Sequence, residues 1–405
     1  MAGTLAVHGA KNAVLPILAA AVLCGDCVLH NCPDLTDVSV AMEILGHLGC
    51  TARREGSTII TTAGSGGDWR IPDDLMKAMR SSVVFLGGMI ARHGEGEISL
   101  PGGCELGSRP VDLHLFALEQ LGAQVQEEEG KLRCTAPGGL HGARIQFPFP
   151  SVGATENAII AAVTAKGDTQ IIGGAREPEI ASLIAFLRSC GAKITTTMDG
   201  TICIQGVERL HGCTYTVIAD RIAAGTYLCA AAATGGELLL TNLDPGHLLT
   251  ALAYLSNAGC TVRTTMNSVW LRGPERMKEL GIIKTQPYPG FPTDMQAVMM
   301  ATAMGTRGTS VFVENIFDSR LRHVQELRKL GGDIVTQGRV AVVTGVERLY
   351  GAHLTCTDLR GGAAMVVGAI AAEGASTVTE LSHIDRGYER FAENLASLGV
   401  RITEE

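Results

Sequence analysis

Glycine closes a helix-like run at Gly49, Gly122, Gly191, Gly259, Gly331 and Gly399, at intervals of about 70 residues. The six settings are kindred: LGHLGCTARREGSTIITT, LEQLGAQVQEEEGKLRCTA, LRSCGAKITTTMDGTICIQG, LSNAGCTVRTTMNSVWLRG, LRKLGGDIVTQGRVAVVTG and LASLGVRITEE. A glycine there supplies the left-handed residue that ends a helix, and the β-branched stretches around a short polar turn read as strand, turn, strand. The chain is therefore six copies of one supersecondary unit.

A second series interleaves with the first: AKNAVLPILAAAVLCGDCVLH, RSSVVFLGGMIARHGEGEISL, ATENAIIAAVTAKGDTQII, RIAAGTYLCAAAATGGELLL, TDMQAVMMATAMGTRGTSVFV and RGGAAMVVGAIAAEGASTVTE. Apolar and small residues cover nearly the whole circumference of each run, as in a helix buried on every side. Each unit then holds one buried helix, one amphipathic helix and the strands between them, an α/β arrangement of βαβαββ type. Three units around their buried helices make one domain, so six make two similar domains, which suits 405 residues. The crossover falls near Ile218 to Asp220, giving a first domain of residues 11–218 and a second carried by 219–405, to which the family resemblance given below adds 1–10. The sixth repeat stops at LGVRITEE, so its second strand must come from elsewhere, and only MAGTLAV precedes the first buried helix motif. An unpaired edge beside Val400 to Thr403 is expected, with the second domain lacking part of its N-terminal strand.

The formal charge of −8, without a run of Lys and Arg, argues against nucleic acid or an anionic membrane as partner. The apolar run after Lys11 superficially resembles a leader peptide, but the same run recurs in the interior. Twelve cysteines in so long a chain then suggest reduced thiols in a cytoplasm rather than a disulfide framework. CGDC, Cys24 to Cys27, is a lone pair at redox or metal spacing; with no second pair at ligand spacing to answer it, a helix-end glycine turn explains it better, and no metal is expected.

Two features carry chemistry. In SLPGGCELGSRPVD, Cys104 sits among glycines and prolines that describe a surface loop, the wrong place for a core thiol. The starts of the buried helices carry Lys11 and Asn12, Arg80, Thr155 with Glu156 and Asn157, Asp220 with Arg221, Asp294, and Asp358 with Arg360. Free N–H groups and the helix dipole make such starts anion sites. For the aspartates ordinary capping is the competing explanation, whereas Lys and Arg oppose the dipole and need another reason. No GxxxxGK[ST], GxGxxG or HExxH pattern occurs.

GAKNAVLP, RSS, LPGGCELGSRPVDLHL, SVGATEN, AREPEI, FPTDMQA, SRLRHVQEL, TDLRGGAA and HIDRGYER together resemble the UDP-N-acetylglucosamine 1-carboxyvinyltransferase family, the enolpyruvyl transferases of peptidoglycan synthesis. The resemblance runs from near residue 3 to the end of the chain. It implies the enolpyruvyl transferase fold, an inside-out α/β barrel in two three-repeat domains, with the active site in the cleft between them. It implies a cytoplasmic enzyme, without cofactor, that moves the enolpyruvyl group of phosphoenolpyruvate to the 3'-hydroxyl of UDP-N-acetylglucosamine and releases phosphate.

Position by position, the resemblance makes Cys104 the general acid facing the methylene and Asp294 the base or positioning carboxylate at the sugar hydroxyl. It gives Lys11, Arg109 and Arg386, with Arg360 as a further member, to the phosphate and carboxylate of phosphoenolpyruvate, and puts Asn12 beside them. It gives the nucleotide sugar to Arg80, to Arg109 with Pro110, Val111, Asp112 and Leu113, to Phe149 through Ser151 and Val152, and to Ile316. Glu105, Ser108 and Pro150 depart from the family's pattern. Two rivals stand: the shikimate-pathway enolpyruvyl transferase, which lacks this cysteine loop, and a non-catalytic paralogue that binds a UDP-sugar and regulates.

Overall fold

In the computed structural model, which describes residues 1–64, 66–79, 81–99 and 111–403, all six repeat glycines adopt the left-handed backbone, with φ from +84° at Gly49 to +104° at Gly259. The buried runs form the helices Lys11–Ala21, Phe85–His93, Val152–Ala162, Arg221–Ala233, Gln296–Ala303 and Leu359–Ala371. Their centres are buried on all sides, as their small and apolar circumference requires. Five of the repeat glycines lead into β-hairpins: Thr51–Glu55 with Thr58–Thr62, Gln124–Glu128 with Lys131–Thr135, Lys193–Thr196 with Ile202–Gln205, Thr261–Thr264 with Ser268–Arg272, and Asp333–Gln337 with Val340–Thr344.

The chain divides into two compact units, each with its own hydrophobic core. One takes the described residues between Gly9 and Ile218; the other takes Met1–His8 and those from Ala219 onward. In the first, the helices Lys11–Ala21, Phe85–His93 and Val152–Ala162 pack on one another, and in the second Arg221–Ala233, Gln296–Ala303 and Leu359–Ala371 do the same. Close packing between them relies on absent side chains: a Cβ on Gly225 would lie 2.1 Å from the Met295 methyl.

Within most repeats the strand before the buried helix pairs in parallel with the strand after it, as Arg144–Gln146 does with Asp168–Ile172 and Ile282–Lys284 with Thr309–Val313. The first and fourth repeats exchange these leading strands. Ala2–Ala6, which leads into Lys11, pairs with Glu237–Thr241 of the fourth repeat, while Thr214–Thr216, which leads into Arg221, pairs with Cys27–His30 of the first. In the sixth repeat, Thr377–Thr379 pairs with His353–Thr355 and, among the described residues, with no further strand. Val400 to Thr403 form no strand at all, in contrast to the five earlier repeats. Among the described residues no helix is long and apolar enough to cross a membrane.

Candidate active site

In the unit that follows Ala219, the buried helices begin with charge. Asp220 and Asp358 do what capping predicts: Asp220 accepts from the N–H groups of Ile222 and Ala223, and Asp358 from those of Arg360 and Gly361. Asp294 does not. It lies in the short 3-10 segment Thr293–Met295, and its carboxylate faces two guanidinium groups, Arg320 at 2.6 Å on Oδ1 and Arg360 at 3.0 Å on Oδ2. Both arginines are buried, whereas the Asp294 side chain keeps 27% of its surface open. Burial alone would raise its pKa, but Arg360 and Arg320 overcome that and hold it well below the usual carboxylate range. Arg360 is pushed upward in turn by Asp294 against its own burial.

The cluster extends through hydroxyls. Arg360 Nη1 reaches Tyr388 Oη at 3.4 Å, and Tyr388 shares a hydrogen bond with Thr226 at 2.9 Å. Arg386, half-buried, closes the short helix Ser382–Asp385, two residues before this tyrosine. Glu314, 1% exposed, gathers the hydroxyls of Thr285 and Thr293 and the N–H groups of Ile316 and Phe317 at 2.8–3.1 Å. It thereby fixes the Ile316 backbone to the turn that carries Asp294. Arg320 and Glu314 were not anticipated. Arg320 lies in the quoted SRLRHVQEL, but its distance from any buried helix start hid its role.

In the unit between Gly9 and Ile218, Lys11 opens its helix and its Nζ meets Asp37 Oδ2 at 2.8 Å, an aspartate 1% exposed and also not anticipated. This carboxylate offsets the unfavourable placing of a cation at a helix start. Asn12 follows it, half-buried. Ser151 caps the helix Val152–Ala162 through the Ala154 N–H. Val111 immediately precedes the helix Asp112–Gln120, in which Asp112 and Leu113 are followed by His114; its Nδ1 accepts from Asn157 at 2.7 Å, and a Cβ on Gly153 would touch its ring. The segments Val111–Leu113 and Ser151–Val152 are therefore neighbours. Phe149 is 43% exposed beside them.

Asn157 is fully buried and spends its amide on Gly87 N–H, Val83 C=O and His114, a packing role in place of the helix-start ligand considered above. Glu156 is raised well above the ordinary carboxylate range by burial and then by Glu179 and Glu177. Arg80, Cys104, Arg109 and Pro110 lie outside the described residues. The one group of described residues with metal-ligating geometry is away from helix starts: Cys24, Cys27 and Cys190, whose sulfurs lie within 4.8 Å of one another. CGDC does form a turn after its helix, and the fold brings Cys190 to it from more than a hundred positions away in the chain.

The profile of the family described as EPSP synthase (3-phosphoshikimate 1-carboxyvinyltransferase) matches residues 1–395. The chain belongs to the EPSP synthase family. Among family relatives, it is 46% identical over 401 residues to UDP-N-acetylglucosamine 1-carboxyvinyltransferase 2 of Caldanaerobacter subterraneus subsp. tengcongensis, covering 99% of this chain and 96% of the relative. It is 46% identical over 408 residues to UDP-N-acetylglucosamine 1-carboxyvinyltransferase of Nitratidesulfovibrio vulgaris, covering 100% and 97%. Among solved structures, the enolpyruvyl transferase NikO from Streptomyces tendae superposes with a TM-score of 0.89 at 23% identity over 98% of this chain and 95% of that one. An EPSP synthase from Acinetobacter baumannii gives 0.75 at 16% identity over 98% and 96%. The enolpyruvyl transferase fold that the resemblance implied is thus the fold of this chain.

Proposed function

We propose that this EPSP synthase family member is a UDP-N-acetylglucosamine 1-carboxyvinyltransferase, transferring the enolpyruvyl group of phosphoenolpyruvate to the 3'-hydroxyl of the nucleotide sugar in peptidoglycan synthesis. The observation that carries this reading is full-length identity of 46% to relatives of that name, joined to the Cys104 loop that the shikimate-pathway enzyme lacks. In the reaction the Cys104 thiol protonates the methylene of phosphoenolpyruvate, becoming a thiolate, while the sugar oxygen attacks the adjacent carbon and its hydroxyl proton passes to the phosphate group. The new methyl group then returns a proton to the Cys104 thiolate as phosphate leaves with the hydroxyl proton. An unperturbed thiol, with a pKa of about 8.5, is protonated near neutrality and can serve as the acid.

Lys11, Arg109, Arg386 and Arg360 hold the anionic groups of phosphoenolpyruvate, with Asn12 beside them. Arg80, Arg109 to Leu113, Ser151, Val152 and Ile316 hold the nucleotide. The two guanidinium groups on Asp294 bear on its role: a carboxylate held so firmly ionised is a weak proton acceptor but a strong hydrogen-bond acceptor. Its open edge receives the sugar hydroxyl and aims it, so Asp294 positions the nucleophile. A cytoplasmic setting belongs to the same reading and is supported by the eleven free thiols among the described residues.

The test is phosphate release with phosphoenolpyruvate and UDP-N-acetylglucosamine together. Release that needs both substrates supports the assignment. Folded protein that binds the nucleotide sugar without releasing phosphate would establish the non-catalytic rival, and release only with shikimate 3-phosphate would establish the other.

A further inference from the structure

The thiols of Cys24, Cys27 and Cys190 form a buried triangle with sides of at most 4.8 Å, and Cys190 Sγ donates to a fourth thiol, Cys213 Sγ, at 3.4 Å. Three chain segments deliver them. Cys24 lies in the turn after the helix Lys11–Ala21 and Cys27 opens the strand Cys27–His30; Cys190 closes the helix Pro178–Ser189; Cys213 precedes the strand Thr214–Thr216. Backbone bonds lock the segments together: Val28 N–H donates to Cys213 C=O at 2.9 Å, and His211 N–H to Cys190 C=O at 3.0 Å. Two glycines let the chains touch. A Cβ on Gly25 would lie 2.7 Å from Gly212 N, and one on Gly212 would lie 1.8 Å from Asp26 C=O.

We infer that Cys24, Cys27, Cys190 and Cys213 form a structural zinc site that fastens the first repeat to the third. Four thiolates around zinc at about 2.3 Å stand about 3.8 Å apart; Cys24, Cys27 and Cys190 stay within 4.8 Å of one another, and Cys213, 3.4 Å from Cys190, completes the set by a turn of its side chain. A polynuclear iron–sulfur cluster spreads its cysteines over several irons and needs a wider cage. The 3.4 Å between Cys190 and Cys213 is well beyond the ~2.05 Å of a disulfide bond. Soft sulfur ligands in a tetrahedral set select zinc over magnesium or calcium. Thr61 adds an outer partner: it pairs with Cys27 across the ladder, is 2% exposed, and its hydroxyl reaches the Cys27 thiol. A thiolate on Cys27 would accept that hydroxyl and orient the ligand. The site lies at the far end of the helix that begins at Lys11, an 11-residue helix about 16 Å long, so its work is to hold that helix in place rather than to meet substrate.

The full chain, purified without chelators or a histidine tag under reducing conditions, is assayed for bound metals by plasma mass spectrometry. The expected result is about one zinc per chain, reduced roughly tenfold or more in Cys190→Ser and in the double variant Cys24→Ser/Cys27→Ser, and retained in Cys134→Ser, a buried thiol outside the cluster. Should the cluster variants fail to fold, the wild-type chain still decides. Cobalt loaded in place of zinc must show thiolate-to-metal charge transfer and the strong visible bands of a tetrahedral ion, and stripping the metal must lower the thermal midpoint. Folded chain without metal that also gains no such spectrum from cobalt overturns the inference. So does one equivalent of iron in place of zinc, or a Cys190–Cys213 disulfide found by peptide mapping.

Discussion

Asp294 and Glu156 show how one kind of side chain is driven in opposite directions by its neighbours. Arg360 and Arg320 keep Asp294 ionised, so its contribution to stability is complete above the ordinary carboxylate range and fades only in strong acid, as pH falls through its depressed folded value. Asp294→Asn leaves two buried guanidinium groups facing a neutral amide. We expect it to cost about 3 kcal/mol in urea unfolding, toward the lower end for breaking a buried pair because one edge of the carboxylate is open. An unchanged midpoint would show that the arginines find other partners. Glu156 has the reverse sign: its folded pKa lies above the ordinary 4.5, so stability is fullest below that value and declines as pH rises toward the folded pKa. Glu156→Gln removes the ionisation, and thermal melts should place the variant above wild type at pH 8, with the gap shrinking toward pH 4.5. Asp294 and Arg360 were legible in sequence because charge at the start of an apolar helix is conspicuous. Arg320, Asp37 and Glu314 were not, because each meets its partner only through folding.

At the scale of elements, the amphipathic helix Thr36–His47 ends with two glycines of different meaning. Gly49 has φ of +84°, and a Cβ there would lie 2.1 Å from Gly66 C=O, so Gly49→Ala should destabilise by more than about 1 kcal/mol. Gly46 is exposed, inside the helix, with nothing within 4 Å of an added Cβ, so Gly46→Ala should stabilise by about 0.5 kcal/mol. Equilibrium urea titrations of the pair check both signs. The helix ends and hairpins could be read in sequence because left-handed glycine and β-branched alternation are local signals. The CGDC turn could not, since its other sulfurs arrive from the end of another helix and from the strand before the crossover. Nor could the sixth repeat, where strand propensity in VRIT does not by itself make a strand.

For the whole molecule, the exchange of leading strands makes the two units unequal as pieces of chain. Among the described residues, all strands of the unit between Gly9 and Ile218 lie within that one stretch, whereas the other takes Ala2–Ala6 from far upstream to pair with Glu237–Thr241. A fragment of residues 9–218 should therefore melt cooperatively by itself. Residues 219–405 alone should melt lower, and recover when a peptide of residues 1–8 is added. Equal melting of 219–405 with and without the peptide would show that the borrowed strand contributes little. The six-fold repeat does not by itself show this inequality; giving residues 1–10 to the second domain anticipates it, but not that Ala2–Ala6 joins Glu237–Thr241. On the ribosome the inequality becomes a timetable. Ala2–Ala6 must wait for Glu237–Thr241 while more than two hundred residues are added and the unit between Gly9 and Ile218 can form behind it. Only then does its partner leave the exit tunnel. That interval is when a chaperone has something to hold, and it falls on the same few residues in every molecule made.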